Sequence, residues 1–159
     1  MAAVTTITSR RFDTALLVLR SVVGAIFIAH GAQKLFQFGL PGVIDGFAKS
    51  GIPYPEVVGP LVTYLELIGG VALILGFLTR LVAFGFACDM IAAIMFVHLK
   101  NGLFLPNGFE FDLMMFAASF ALILTGAGGM SLDAMFSHRR LIIEETPRYA
   151  VPATPHYVA

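Results

Sequence analysis

The sequence predicts an all-α fold: a four-transmembrane-helix antiparallel bundle with both termini cytoplasmic. Three observations carry that expectation. Apolar residues make up 58% of the 159 and charged residues only 13%, whereas soluble domains hold about 25% charged residues. Mean hydropathy is +0.87, and the apolar excess is gathered into long windows, as a chain dissolved in lipid requires. Lys and Arg then collect on the segments that an even number of crossings places on one side.

The elements follow in order. Residues 1–13 form a cytoplasmic N-terminal segment carrying Arg10 and Arg11. The start resembles a secretory leader in outline, but Arg20 interrupts its apolar run and Lys34 follows with no convincing cleavage site, so it is read as retained. A membrane domain occupies 14–136. Its windows are about Thr14–Phe38, Val57–Thr79, Leu81–Leu99 and Phe111–Gly128, each near the roughly 20 residues that one crossing needs. The Thr79-Arg80 junction is short enough to force an antiparallel hairpin. Pro41, Gly42, Gly46, Gly51, Pro53 and Pro55 break the 39–56 loop. Within it, Val43–Lys49 reads as a short helix at the membrane interface. The loop 100–110 is turn-rich, and residues 137–159 form a polar tail punctuated by Pro147, Pro152 and Pro155.

Orientation comes from basic residues. Arg10, Arg11, Arg80, Arg139, Arg140 and Arg148 fall on one side, Lys49 and Lys100 on the other with Lys34 near it. The first side is therefore expected to be cytoplasmic, in a bacterial-type inner membrane. Net charge is zero, which argues against a nucleic-acid partner. Cys88 is the single cysteine, so one chain builds no internal disulfide and no Cys-rich metal or dithiol site. Its ordinary role is a small apolar residue in a span. Span glycines such as Gly24, Gly31, Gly69 and Gly70 read first as close helix packing.

Charges inside the spans are the features that call for a function. A charge at the bilayer centre costs about 2.5–3.5 kcal/mol on insertion scales, so such groups are paired or used. Depth sorts them into two groups. Arg20 and Asp89 lie toward the inner half at similar depth and are expected to form a structural ion pair. His30, Lys34, Glu66, His98 and Glu110 gather toward the outer side. His30 and Lys34 share a face at i, i+4. Asp112 is a marginal member of this group, because a carboxylate in a first helical turn is already favoured by the helix dipole. Lys34 also has a bland reading, snorkelling to the interface, and Lys100 reads as an anchor there. Metal binding has no local motif behind it, and haem ligation by His30 and His98 is only a minor alternative. No phosphate loop, nucleophile elbow or zinc-protease motif is present. Two readings of the outer group stay open: a structural network, or proton handling beside a small polar or quinone-like ligand.

The spacing of these residues resembles the DoxX family of small four-helix integral membrane proteins. The resemblance rests on Arg20-x-x-x-Gly24, His30-Gly31-x-x-Lys34-Leu35, Glu66-x-x-Gly69-Gly70 and Gly76-x-x-Thr79-Arg80. It continues through His98, Asn107-Gly108-x-Glu110, Gly126-x-Gly128 and Ser131-Leu132-Asp133. It implies membership of a redox-linked membrane group, associated with thiosulfate:quinone oxidoreduction or with oxidative or thiol stress. The carried-over positions are Arg20, His30, Lys34, Glu66, His98 and Glu110; Asp89 is outside the motif.

The expected function is a membrane subunit of a redox system, quinone-interacting or accessory to an oxidoreductase, without a complete catalytic apparatus of its own. His30, Glu66 and His98 are the candidate proton-handling residues, Lys34 and Glu110 the candidate ligand-binding ones. The residues identify no cofactor, though a quinone suits them. The bilayer is one partner; a protein partner in a membrane complex, or a second copy of the chain, is another. Two alternatives remain, a non-enzymatic assembly or anchoring protein and a small-solute transporter.

Overall fold

The structure, a computed structural model, describes residues 2–136; the proline-punctuated tail and its Arg139, Arg140 and Arg148 lie outside the described residues. All the regular secondary structure among the described residues is helical, with no strand. The order is α1 (Ala2–Ala32), a π-helical turn (Gln33–Phe38), α2 (Gly39–Lys49), α3 (Pro55–Tyr64), a second π turn (Leu65–Gly69) and α4 (Gly70–Leu75). Then come α5 (Thr79–Ala92), a third π turn (Ala93–His98), a 3₁₀ turn (Leu99–Asn101) and α6 (Glu110–Thr125). Arg10–Lys49, Pro55–Leu75 and Thr79–Asn101 are long and apolar enough to cross a membrane. The 16 residues of α6 reach only about 24 Å at 1.5 Å per residue.

The first helical run stops its straight course at Phe38, where the sequence expects the span to end, because Gly39 adopts φ 68°. The chain then forms α2, which packs against α3 and the preceding π turn. The expected short helix at Val43–Lys49 is therefore present and begins at Gly39. Val43 is buried beneath it, while Asp45 and Lys49 form an exposed i, i+4 pair.

The second span ends earlier than the hydropathy window. Gly76, not Thr79, terminates it. With Gly76 at φ 68°, its N–H donates to the Leu73 carbonyl and the Phe77 N–H to that of Ala72. This is the Schellman arrangement that closes a helix on a left-handed glycine. The hairpin junction is thus 76–78, and Thr79-Arg80 opens α5. Leu78, at φ 48°, supplies no cap of its own. Asp133 does so from a distance, accepting from the N–H groups of Leu78 (2.8 Å) and Thr79 (3.0 Å).

The burial pattern inverts that of a soluble protein. Val18, Ile68, Val71, Leu81, Phe84 and Leu124 face outward, while Arg20 and Glu66 are each 2% exposed. Apolar side chains outside and charges inside suit lipid as the solvent. The core joins Leu16, Val23, Phe27, Leu73, Phe86 and Leu122, with the Phe27 and Phe86 rings stacked. The first and second spans approach backbone to backbone. A Cβ on Gly24 would lie 2.6 Å from the Gly70 carbonyl oxygen, and a Cβ on Gly70 the same distance from that of Gly24. Two turns further along the first span, a Cβ on Gly31 would meet Leu67 N at 2.7 Å. Only glycine allows this approach, and in lipid such contact supplies much of the association energy.

Candidate functional site

That glycine seam positions the first polar pair. Lys34 lies three residues beyond Gly31 and faces the second span. Its Nζ donates to Glu66 Oε1 at 2.5 Å. Lys34 is 21% exposed and Glu66 2%, so this is a largely buried ion pair and not a snorkelling lysine. The second pair joins the third span to α6. His98 Nδ1 and Asp112 Oδ2 are 2.5 Å apart. If the ring donates from Nδ1, Nε2 is its remaining nitrogen. His30 tilts against Phe111, ring centroids 5.9 Å apart.

All these groups line one cavity of about 440 Å³. Its polar members are His30, Gln33, Lys34, Glu66, Asp89 and His98, together with Asp112; its apolar wall includes Phe27, Phe38, Phe47, Ile52, Met90 and Met115. The volume falls in the range of small-molecule sites, and an apolar wall with a few convergent polar groups is their usual composition. Glu66 Oε2 and Asp89 Oδ2 are buried without a hydrogen-bond donor among the described residues.

The backbone explains why the polar groups converge. Among the described residues there are three π turns, and each carries at least one of them: Gln33 and Lys34 in the first, Glu66 in the second and His98 in the third. A π turn inserts a residue into the helical ladder and re-aims the side chains around it, often at functional sites. Hydropathy carries no sign of such an insertion.

Three sequence expectations change here. Arg20 and Asp89 do not pair. Asp89 belongs to the cavity, while Arg20 Nη2 donates to the Met130 carbonyl, its Nε and Nη1 without partners among the described residues. Similar depth did not mean a shared face. Glu110 is not in the cavity either: its Oε1 accepts the Leu105 N–H at 3.1 Å, bracing the loop before α6. Asp112 is more than a helix-dipole residue, being 5% exposed and bonded to His98. Sequence reading missed Gln33, three residues after His30 on the same face, and the caps made by Asp13 and Asp133. Asp13 Oδ1 accepts the Gly129 N–H at 2.7 Å.

A larger groove, about 630 Å³, opens at the other end beside Arg80, Thr125 and Asp133. Its charged groups are already engaged: Asp133 caps α5 and Arg80 reaches the Leu124 carbonyl at 3.4 Å. The smaller cavity is the better candidate, because its acceptors are not.

Comparison with known proteins fits this architecture. The family model described as DoxX matches residues 15–99, from the start of the core to the end of the third π turn. The chain belongs to the DoxX family. Within the match lie six of the cavity's polar positions, His30, Gln33, Lys34, Glu66, Asp89 and His98; Asp112 lies beyond it. A relative from Bacillus subtilis (strain 168), "Putative oxidoreductase CatD", is 38% identical over 125 residues, covering 79% of this chain and 89% of the relative. "Uncharacterized membrane protein Rv3486" of Mycobacterium tuberculosis is 32% identical over 135 residues, 76% of this chain and 80% of its own. "Inner membrane protein YphA" of Escherichia coli (strain K12) is 28% identical over 124 residues, 74% and 87%. No solved structure matches. This DoxX chain is a membrane protein.

Proposed function

We propose that the protein is an integral subunit of a membrane redox system and that its cavity holds a quinone-type ligand. The observation that carries this reading is the convergence of Lys34–Glu66, His98–Asp112 and Asp89 on one apolar void of about 440 Å³. A quinone needs an apolar slot with a few polar groups at its oxygens. Phe27, Phe38 and Met90 supply the slot. Lys34 is placed to donate to a carbonyl oxygen, because an ammonium has three donors and Glu66 takes one. When bound, a quinone supplies the two-electron, two-proton chemistry that the side chains lack. Glu66, His30 and His98 hold or pass protons beside it. The name of the Bacillus relative, a putative oxidoreductase, supports this class.

In the same reading α6 completes a fourth crossing, and both termini face the cytoplasm across an inner membrane. The cavity then opens toward the outer leaflet. The excess of Arg10, Arg11 and Arg80 on one side supports that orientation, and the inner-membrane name of the Escherichia relative supports the location. The test is quinone-dependent electron transfer in membranes from cells expressing the wild type, Glu66→Gln or His30→Ala. A loss of about tenfold or more is expected in both variants, the size of one missing hydrogen bond to a charged group. Unchanged rates would remove the redox-site reading. Labelling a cysteine at position 49 from outside checks the orientation.

A further inference from the structure

Resting on the quinone reading, we propose that this cavity selects the reduced, dihydroxy-aromatic form of its ligand over the oxidised quinone. The argument is one of donors and acceptors. Glu66, 2% exposed, lines the cavity, and its buried Oε2 has no donor among the described residues. Asp89 also lines it, and its Oδ2 is buried and equally without a donor among the described residues. A buried acceptor left unmet costs more than an ordinary hydrogen bond gains, so an occupant that donates is favoured there. A quinone carbonyl only accepts: it meets Lys34 Nζ and leaves both carboxyl oxygens unmet. A quinol hydroxyl does both, accepting from Lys34 and donating to Glu66 Oε2 or Asp89 Oδ2. Charge points the same way. Three carboxyl groups, Glu66, Asp89 and Asp112, face one lysine and two imidazoles in this space. With the imidazoles neutral, the carboxyl groups outnumber the cation three to one, which disfavours a second acceptor and tolerates a neutral donor.

An ionic ligand would answer the acceptors too, but the wall argues against one. Phe27, Phe38, Phe47, Ile52, Met90 and Met115 surround the polar groups, and an apolar enclosure of this size favours a ring over a hydrated ion. Lys34 also opposes a cation within reach of Glu66. A proton lodged between Glu66 and Asp89 is the other way to satisfy their oxygens, and it would not distinguish the two ligand forms.

The experiment uses the full-length wild-type protein in detergent, under anaerobic conditions, titrated in parallel with decylubiquinone and decylubiquinol. The quinol is expected to bind about tenfold more tightly, the worth of one buried acceptor satisfied. The same preference, read as a redox titration of bound ligand, raises its midpoint potential by about 30 mV. Asp89→Asn, whose amide can donate, is expected to narrow the ratio by strengthening quinone binding. Equal affinities, or tighter quinone binding, in the wild type would overturn the selectivity while leaving the quinone site standing. Binding of neither form overturns both readings. The wild-type comparison decides the matter even if the variant does not fold.

Discussion

The two ends of the bundle treat buried charge in opposite ways. At the end built around Arg20, charged side chains commit to backbone groups. Asp133 caps α5, Asp13 holds Gly129 and Arg20 holds the Met130 carbonyl. These bonds tie the 129–133 segment to α1 and to the hairpin turn. At the cavity end, side chains pair with side chains around a void, and two carboxyl oxygens have no donor among the described residues. Asp13 and Asp133, bonded to backbone, have little left to offer a ligand, and Arg20, though its Nε and Nη1 lack partners among the described residues, lines neither the cavity nor the groove. Groups around the void do have something left to offer, so the difference separates a lock from a site.

The largest effect should come from stranding a buried charge. Lys34→Met leaves Glu66 buried without its cation, and about 3–5 kcal/mol of stability should be lost. Adding Glu66→Gln to that variant should restore most of it, because a neutral amide replaces the stranded carboxylate. Denaturant titration in micelles of the two single variants and the double variant measures this. Additive losses would mean the pair is not coupled as the 2.5 Å contact requires.

Next in size is the seam between the first and second spans. Gly70→Leu would drive a side chain into the Gly24 carbonyl and Ile28, both within 2.6 Å of its Cβ. About 1–3 kcal/mol should be lost to overpacking, and ligand binding should fall with it because the seam aligns Lys34 with Glu66. A Leu variant of normal stability would show that the helices do not pack backbone to backbone.

A smaller effect is expected at the lock. Asp133→Ala removes the acceptor from two N–H groups at the start of α5 and should cost about 1–2 kcal/mol, as loss of a cap does. Ligand affinity should stay within about twofold, since Asp133 is outside the cavity. Smallest is Glu110→Gln. Its amide oxygen can still accept from Leu105 N, so stability should shift by under about 0.5 kcal/mol and binding should be unchanged. A strong binding defect in Glu110→Gln would return that residue to the site.

How much of this was legible in the sequence varies with the kind of information. Hydropathy placed the helices well, because lipid exposure leaves a long uniform signal. It overran the second span by four residues, from Leu75 to Thr79; the glycine stop at Gly76 was the better marker. Depth along the spans correctly gathered His30, Lys34, Glu66 and His98, since neighbouring antiparallel helices share depth. Depth says nothing about facing, so it paired Arg20 with Asp89 wrongly and put Glu110 in the cluster. The π turns at Lys34, Glu66 and His98 rotate faces by steps that no periodicity argument anticipates. Asp112 illustrates the remaining limit: a local helix-start rule explains its position, and only tertiary structure reveals its bond to His98.

The most direct measurement is the quinone content of the purified full-length protein, extracted and quantified by mass spectrometry. The wild type and Asp133→Asn should carry near-stoichiometric quinone or quinol. The stable Lys34→Met/Glu66→Gln double variant should carry almost none. Equal and trace amounts in all three would contradict a ligand site at the cavity and leave its charges as structural pairs alone.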